Sequence, residues 1–140
     1  MKEKNYLETI YNVEDKPITN YPNKLIIYLI KRFKLEKNQK ILELGCGRGD
    51  FLSLSKEISK RVVGLEINRK NCKYLNDIGI ECITTLSELN EDKFDLITLN
   101  HVFEHLNDPI NILVELQKYL KDDGKIIIEV PHAKDFLILQ

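Results

Sequence analysis

Gly45-Cys46-Gly47-Arg48-Gly49 sets three glycines on alternate positions between two segments of different character. Before them runs Lys40-Ile41-Leu42-Glu43-Leu44, short and apolar like a buried strand. After them Asp50, Phe51, Leu52, Leu54 and Ile58 keep a helical spacing. A chain that turns at once from strand into helix needs residues without a Cβ, since only glycine enters left-handed conformations freely. The same residues let a ligand approach the backbone closely. The helix beyond offers unpaired N–H groups and a partial positive charge. This junction predicts an α/β unit with a ligand-binding loop.

The rest of the chain repeats the alternation. Arg61 to Ile67 reads as a second strand, and residues 68 to 78 as a helix (Cys72, Leu75, Ile78) stopped by Gly79. Ile80 to Ile83 is a short third strand and Phe94 to Leu99 a fourth. Asp108-Pro109 starts a helix, a capping side chain before a first-turn proline, with Ile112, Leu113, Leu116 and Leu120 on its buried face. Asp123-Gly124 reads as a turn, and Lys125 to Val130 as the fifth strand. Residues 1–21 read as a polar arm, and 22–140 as the core, opening with a helix from Pro22 to Phe33. Such alternation predicts a mostly parallel sheet of about five strands, Rossmann-like, flanked by helices. Ligands bind such sheets at the carboxyl ends of the strands, where the strand order reverses.

The loop's spacing bears on its ligand. The dinucleotide pattern G-x-G-x-x-G would put its third small residue at position 50, which is aspartate. The pattern here is G-x-G-x-G, preceded by Glu43. A carboxylate at that point repels a pyrophosphate and suits a ligand carrying a cationic amine and a sulfonium. Glu66, 21 positions after Gly45, ends the second strand, where a carboxylate can accept hydrogen bonds from a ribose diol.

Four segments occur in order at suitable spacing: ILELGCGRGDFL (41–52), VVGLEIN (62–68), FDLITLNHVFEHLNDP (94–109) and LKDDGKIIIEVP (120–131). Together they resemble the motifs of class I methyltransferases that use S-adenosylmethionine (SAM), in the branch acting on small molecules such as ubiquinone precursors and sugars. The resemblance implies SAM as cofactor. Gly45, Cys46, Gly47 and Gly49 would hold its methionine part, with Glu43 near the amino group. Glu66 would take the ribose hydroxyls and Ile67 would lie against adenine. Thr85 and Leu86 fall where many members carry an aspartate toward the adenine edge. Asn100, His101 and Val102 would line the pocket near the methyl group. The family's C-terminal hairpin has no counterpart before Gln140, so the fifth strand is expected to expose an edge for a second copy or a partner chain to cover.

The histidines are His101, His105 and His132. His101 and His105 follow the fourth strand and are the candidates for a general base or an orienting group. They stand four apart, but zinc requires three or more ligands and H-E-x-x-H is absent, so no metal is expected. With 21 basic and 22 acidic side chains the chain lacks the charge surplus of a nucleic-acid binder. No apolar run reaches membrane-span length. Cys46, Cys72 and Cys82 fit neither a disulfide framework nor a zinc motif, so a cytoplasmic setting is expected. The function expected is methyl transfer from SAM to an O or N atom of a small-molecule acceptor. Two alternatives remain: a non-catalytic SAM-binding module or fragment of a larger methyltransferase, and a nucleotide-dependent oxidoreductase domain.

Overall fold

The computed structural model describes residues 31–90 and 92–131. Five parallel strands form one sheet: β1 (Lys40–Leu44), β2 (Arg61–Leu65), β3 (Glu81–Ile83), β4 (Phe94–Asn100) and β5 (Leu120–Glu129), in the order β3-β2-β1-β4-β5. The order reverses between β1 and β4, and their carboxyl ends open the crevice in which ligands bind such folds.

β1 is buried on both faces because both are covered. Its alternate side chains feed two cores. Ile41 joins Phe51, Leu52, Val62, Leu75 and Leu96 on one face. Leu42 and Leu44 join Val63, Leu65, Ile97, Leu99 and Leu116 on the other. The helices α1 (Asp50–Ser55) and α2 (Arg69–Asp77) supply Leu52 and Leu75 to the first core, and α3 (Pro109–Gln117) supplies Leu116 to the second. All three leucines are fully buried, each contributing about 1.5–3 kcal/mol.

The helix starts follow their caps. Asn68 accepts from the N–H groups of Lys70 and Asn71, and Asp108 from that of Asn111 at 3.1 Å. Gly79, at φ 80°, ends the turn after α2 as expected. Some boundaries differ from expectation. α1 stops at Ser55 rather than near Ile58, its path continued by turn bonds from Lys56 and Ser59 to Leu52 and Ser55. β5 begins five residues early. The pairs Phe94↔Leu120 and Leu96↔Lys125 leave Lys121–Gly124 bulged out opposite Asp95, so the expected Asp123-Gly124 turn lies inside the strand. Lys121 Nζ reaches Asp95 Oδ1 at 2.6 Å and holds the bulge.

Residues 31–33 are helical. The expected arm, the rest of the first helix, His132 and the apolar tail after it lie outside the described residues. Among the described residues β5 pairs with β4 alone, and no helix is long and apolar enough to cross a membrane.

Candidate active site at the carboxyl ends of β1, β2 and β4

The glycine loop is tied down by backbone. Gly45 N–H donates to Leu65 O at 2.8 Å, and Gly49 N–H to Cys46 O at 2.8 Å. At Gly45, φ 67°, a Cβ would lie 2.4 Å from Val102 Cγ2, so the loop rests directly on the segment following β4. At Gly47, φ 55°, a Cβ would meet nothing within 4 Å. One glycine therefore packs against protein, while the other bares backbone on an open side. Cys46 points the other way. Its thiol is buried in the core, and burial pushes its pKa far above the ordinary thiol range, so the loop offers only its backbone there.

Glu66 directly follows β2 and is 9% exposed. Its Oε2 accepts the Gly47 N–H at 2.8 Å and its Oε1 accepts the Asn68 N–H at 2.8 Å. The carboxylate thus clasps the glycine loop to the turn that starts α2. Each oxygen keeps lone-pair capacity for a further donor. Ile67 beside it is 83% exposed, an apolar side chain held out from the end of β2.

Glu43 has the opposite surroundings. It lies inside β1, 4% exposed, between Gly64 of β2 and Thr98 of β4 in the sheet register. The Asn100 Nδ2 amide donates to its Oε1 at 2.7 Å. Oε2 has no partner among the described residues, and neither do Asn100 Oδ1 and Thr98 Oγ1. Burial pushes the Glu43 carboxyl up to about 8, against the lowering effect of the Asn100 amide, and Asp50 adds repulsion. Buried acceptors without donors are rare, and Glu43 and Asn100, hydrogen-bonded to each other near the switch point, carry one each. A ligand ammonium would supply the donors they lack.

The remaining candidates sit around this centre. Asn100 ends β4, and Val102 touches Gly45. His101 adopts φ 54°, costly for a residue with a Cβ. Its N–H donates to Glu129 O at 2.8 Å, and its side chain, 43% exposed, has Nε2 3.4 Å from Glu129 Oε1. Glu129 also pairs with Arg32 at 2.9 Å. His105 lies farther out on a short 3-10 turn, side chain 77% exposed, with Glu104 3.8 Å away. Thr85 caps another 3-10 turn, and Leu86 packs onto the core. The backbone N–H groups of Thr84 and Thr85 both go to Glu88 Oε1, at 2.9 and 3.0 Å. β3 still ends beside Glu66, whose N–H donates to Ile83 O.

Two participants were missed in the sequence. Glu88 had a readable signal, the Thr85-x-x-Glu88 capping box. Glu129 had none beyond an acid near the end of a strand. Among the described residues no group of three His, Cys, Asp or Glu could hold a metal ion.

Comparison with known proteins gives the family and the fold. An uncharacterized protein of Methanocaldococcus jannaschii is 31% identical over 135 residues, covering 96% of this chain and 57% of that protein. A ubiquinone biosynthesis O-methyltransferase of Pelagibacter ubique is 30% identical, covering 84% of this chain and 56% of that enzyme. The chain thus spans little more than half the length of these relatives. Among solved structures, a SAM-dependent methyltransferase from Archaeoglobus fulgidus superposes with a TM-score of 0.65 at 23% identity, over 94% of this chain and 59% of that one, which establishes the shared fold. A family model described as a methyltransferase domain matches residues 19–139, and the chain belongs to that family.

Proposed function

We propose that this chain binds SAM across the carboxyl ends of β1, β2 and β4 and serves transfer of its methyl group to an O or N atom of a small molecule. The observation that carries the reading is the pair of buried acceptors, Glu43 Oε2 and Asn100 Oδ1, facing no donor beside an open glycine backbone. That donor set suits a ligand whose amino-acid end is cationic and suits a pyrophosphate badly.

The residues then divide the work. Glu43, Asn100 and the Gly45–Gly49 backbone would hold the methionine end. Glu66 would accept the ribose hydroxyls with its remaining lone pairs, and Ile67 would cover one adenine face. The cofactor, when bound, supplies an electrophilic methyl group on a sulfonium. The protein's part is to hold donor and acceptor in line and exclude water, since positioning is the main source of rate in such a displacement. His101, at the rim with Glu129 beside it, would accept the proton of an O–H or N–H acceptor; His105, more exposed, would sit nearer its entry.

Calorimetry against SAM, its demethylated product and NAD is the direct test. SAM and the product are expected to bind and NAD not. Micromolar binding of NAD with none of SAM would overturn the reading. Labelled methyl transfer to phenols, sugars and amines is expected over transfer to RNA or protein, and the reverse preference would overturn the acceptor class.

A further inference from the structure

Among the described residues Glu43 is buried without a cation to balance it. Its neighbours from each packed element can be named. β2 presents Gly64, with no side chain; β4 presents the Thr98 hydroxyl and the Asn100 amide; the glycine loop presents the Cys46 thiol, and α1 presents Asp50. Glu66, just after β2, clasps that loop, with both oxygens on backbone N–H groups. The charged neighbours are thus acidic. A carboxylate here would be desolvated, repelled and short of donors, so the site favours the neutral acid. An ammonium placed against Glu43 Oε2 and Asn100 Oδ1 would reverse each of these terms, because it supplies positive charge and N–H donors together.

We propose that cofactor binding in this chain is proton-linked through Glu43: the α-amino end of the ligand is taken by the carboxylate, so each ligand that enters expels the proton of the Glu43 carboxyl to solvent. The O–H bond of the acid breaks, its electron pair stays on the carboxylate, and buffer takes the proton. Asn100 is the positioning residue that holds Oε1 and leaves Oε2 facing the ligand. The inference rests on the SAM reading above and deepens it. Affinity becomes pH-sensitive in the neutral range although no histidine is part of the switch.

The test is titration of the full chain with S-adenosylhomocysteine, which keeps the amino group, in phosphate and in Tris at pH 7. The two buffers differ in ionisation enthalpy and so report released protons. Roughly 0.9 proton per ligand is expected, the protonated share at pH 7 of a group at about 8. The dissociation constant should tighten about tenfold from pH 6 to pH 7, a range in which the ligand's own amino group stays protonated. Methylthioadenosine, which lacks the amino acid, should bind with no proton release, and Glu43→Gln should remove the buffer dependence for S-adenosylhomocysteine. Buffer-independent enthalpies with the wild-type chain, or proton release persisting in Glu43→Gln, would overturn the proposal while leaving the SAM reading intact. Failure of S-adenosylhomocysteine to bind at all would overturn both. If Glu43→Gln does not fold, the wild-type contrast between the two ligands decides alone.

Discussion

Glu43 and Glu66 are both buried carboxylates at the same end of one sheet, and they differ in what they face. Glu66 stands at a corner where the chain leaves β2, and two backbone N–H groups point into it. Glu43 stands within a central strand, where the ladder has already taken the backbone donors, and one side-chain amide is its sole partner among the described residues. Backbone groups at chain reversals are free to solvate an anion, whereas those of a paired parallel strand are not. One acid therefore builds the loop, and the other keeps an oxygen without a partner among the described residues.

The contrast can be broken by substitution, starting with the largest effect. Glu66→Ala removes the acceptor of two N–H groups, each such bond to a charged group being worth about 1.5 kcal/mol or more. A loss of about 2–3 kcal/mol in urea unfolding is expected. A variant as stable as wild type would mean that Glu66 does not hold the loop. Gly45→Ala comes next, at about 2 kcal/mol, because its Cβ would press Val102 while φ stays positive. Gly47→Ala should cost only about 1 kcal/mol, the backbone term alone, since its Cβ meets open space. It should nonetheless weaken cofactor binding more than its stability loss accounts for. Equal losses of stability at the two glycines would show that the loop does not divide into a packed and an open side.

A further effect depends on pH and starts from zero. Glu43 has a folded-state pKa near 8 against 4.5 unfolded. Its contribution to stability is fully present below 4.5 and is lost as pH rises through 8. Thermal melts of the ligand-free chain and of Glu43→Gln should coincide near pH 4.5 and separate progressively up to pH 8, with the variant melting higher. Parallel melting curves across that range would show that Glu43 finds a donor or cation in solution.

Particular residues mark how far the sequence could be read. Gly79 announced the stop after α2 and Asp108-Pro109 the start of α3, because a cap is a contact between residues a few positions apart. The five strands and their alternation with helices were legible in the same way, from apolar periodicity. β5 was misread at its start because the bulge exists only opposite Asp95, 26 residues from Lys121. The resemblance placed Thr85 at the adenine edge, and only the fold shows that its backbone N–H goes to Glu88.

By itself the sequence determined that a glycine loop follows β1, that an acid precedes it and another ends β2, and that the elements alternate as an α/β sheet requires. These are properties of neighbouring residues, set by periodicity and by backbone conformations that few residue types allow. Tertiary structure alone decided which acid would be satisfied. Glu66 meets Gly47 across 19 positions, and Glu43 meets Asn100 across 57. Burial and the supply of donors depend on what the fold brings together, and on them rests the division between a carboxylate that shapes the site and one short of donors.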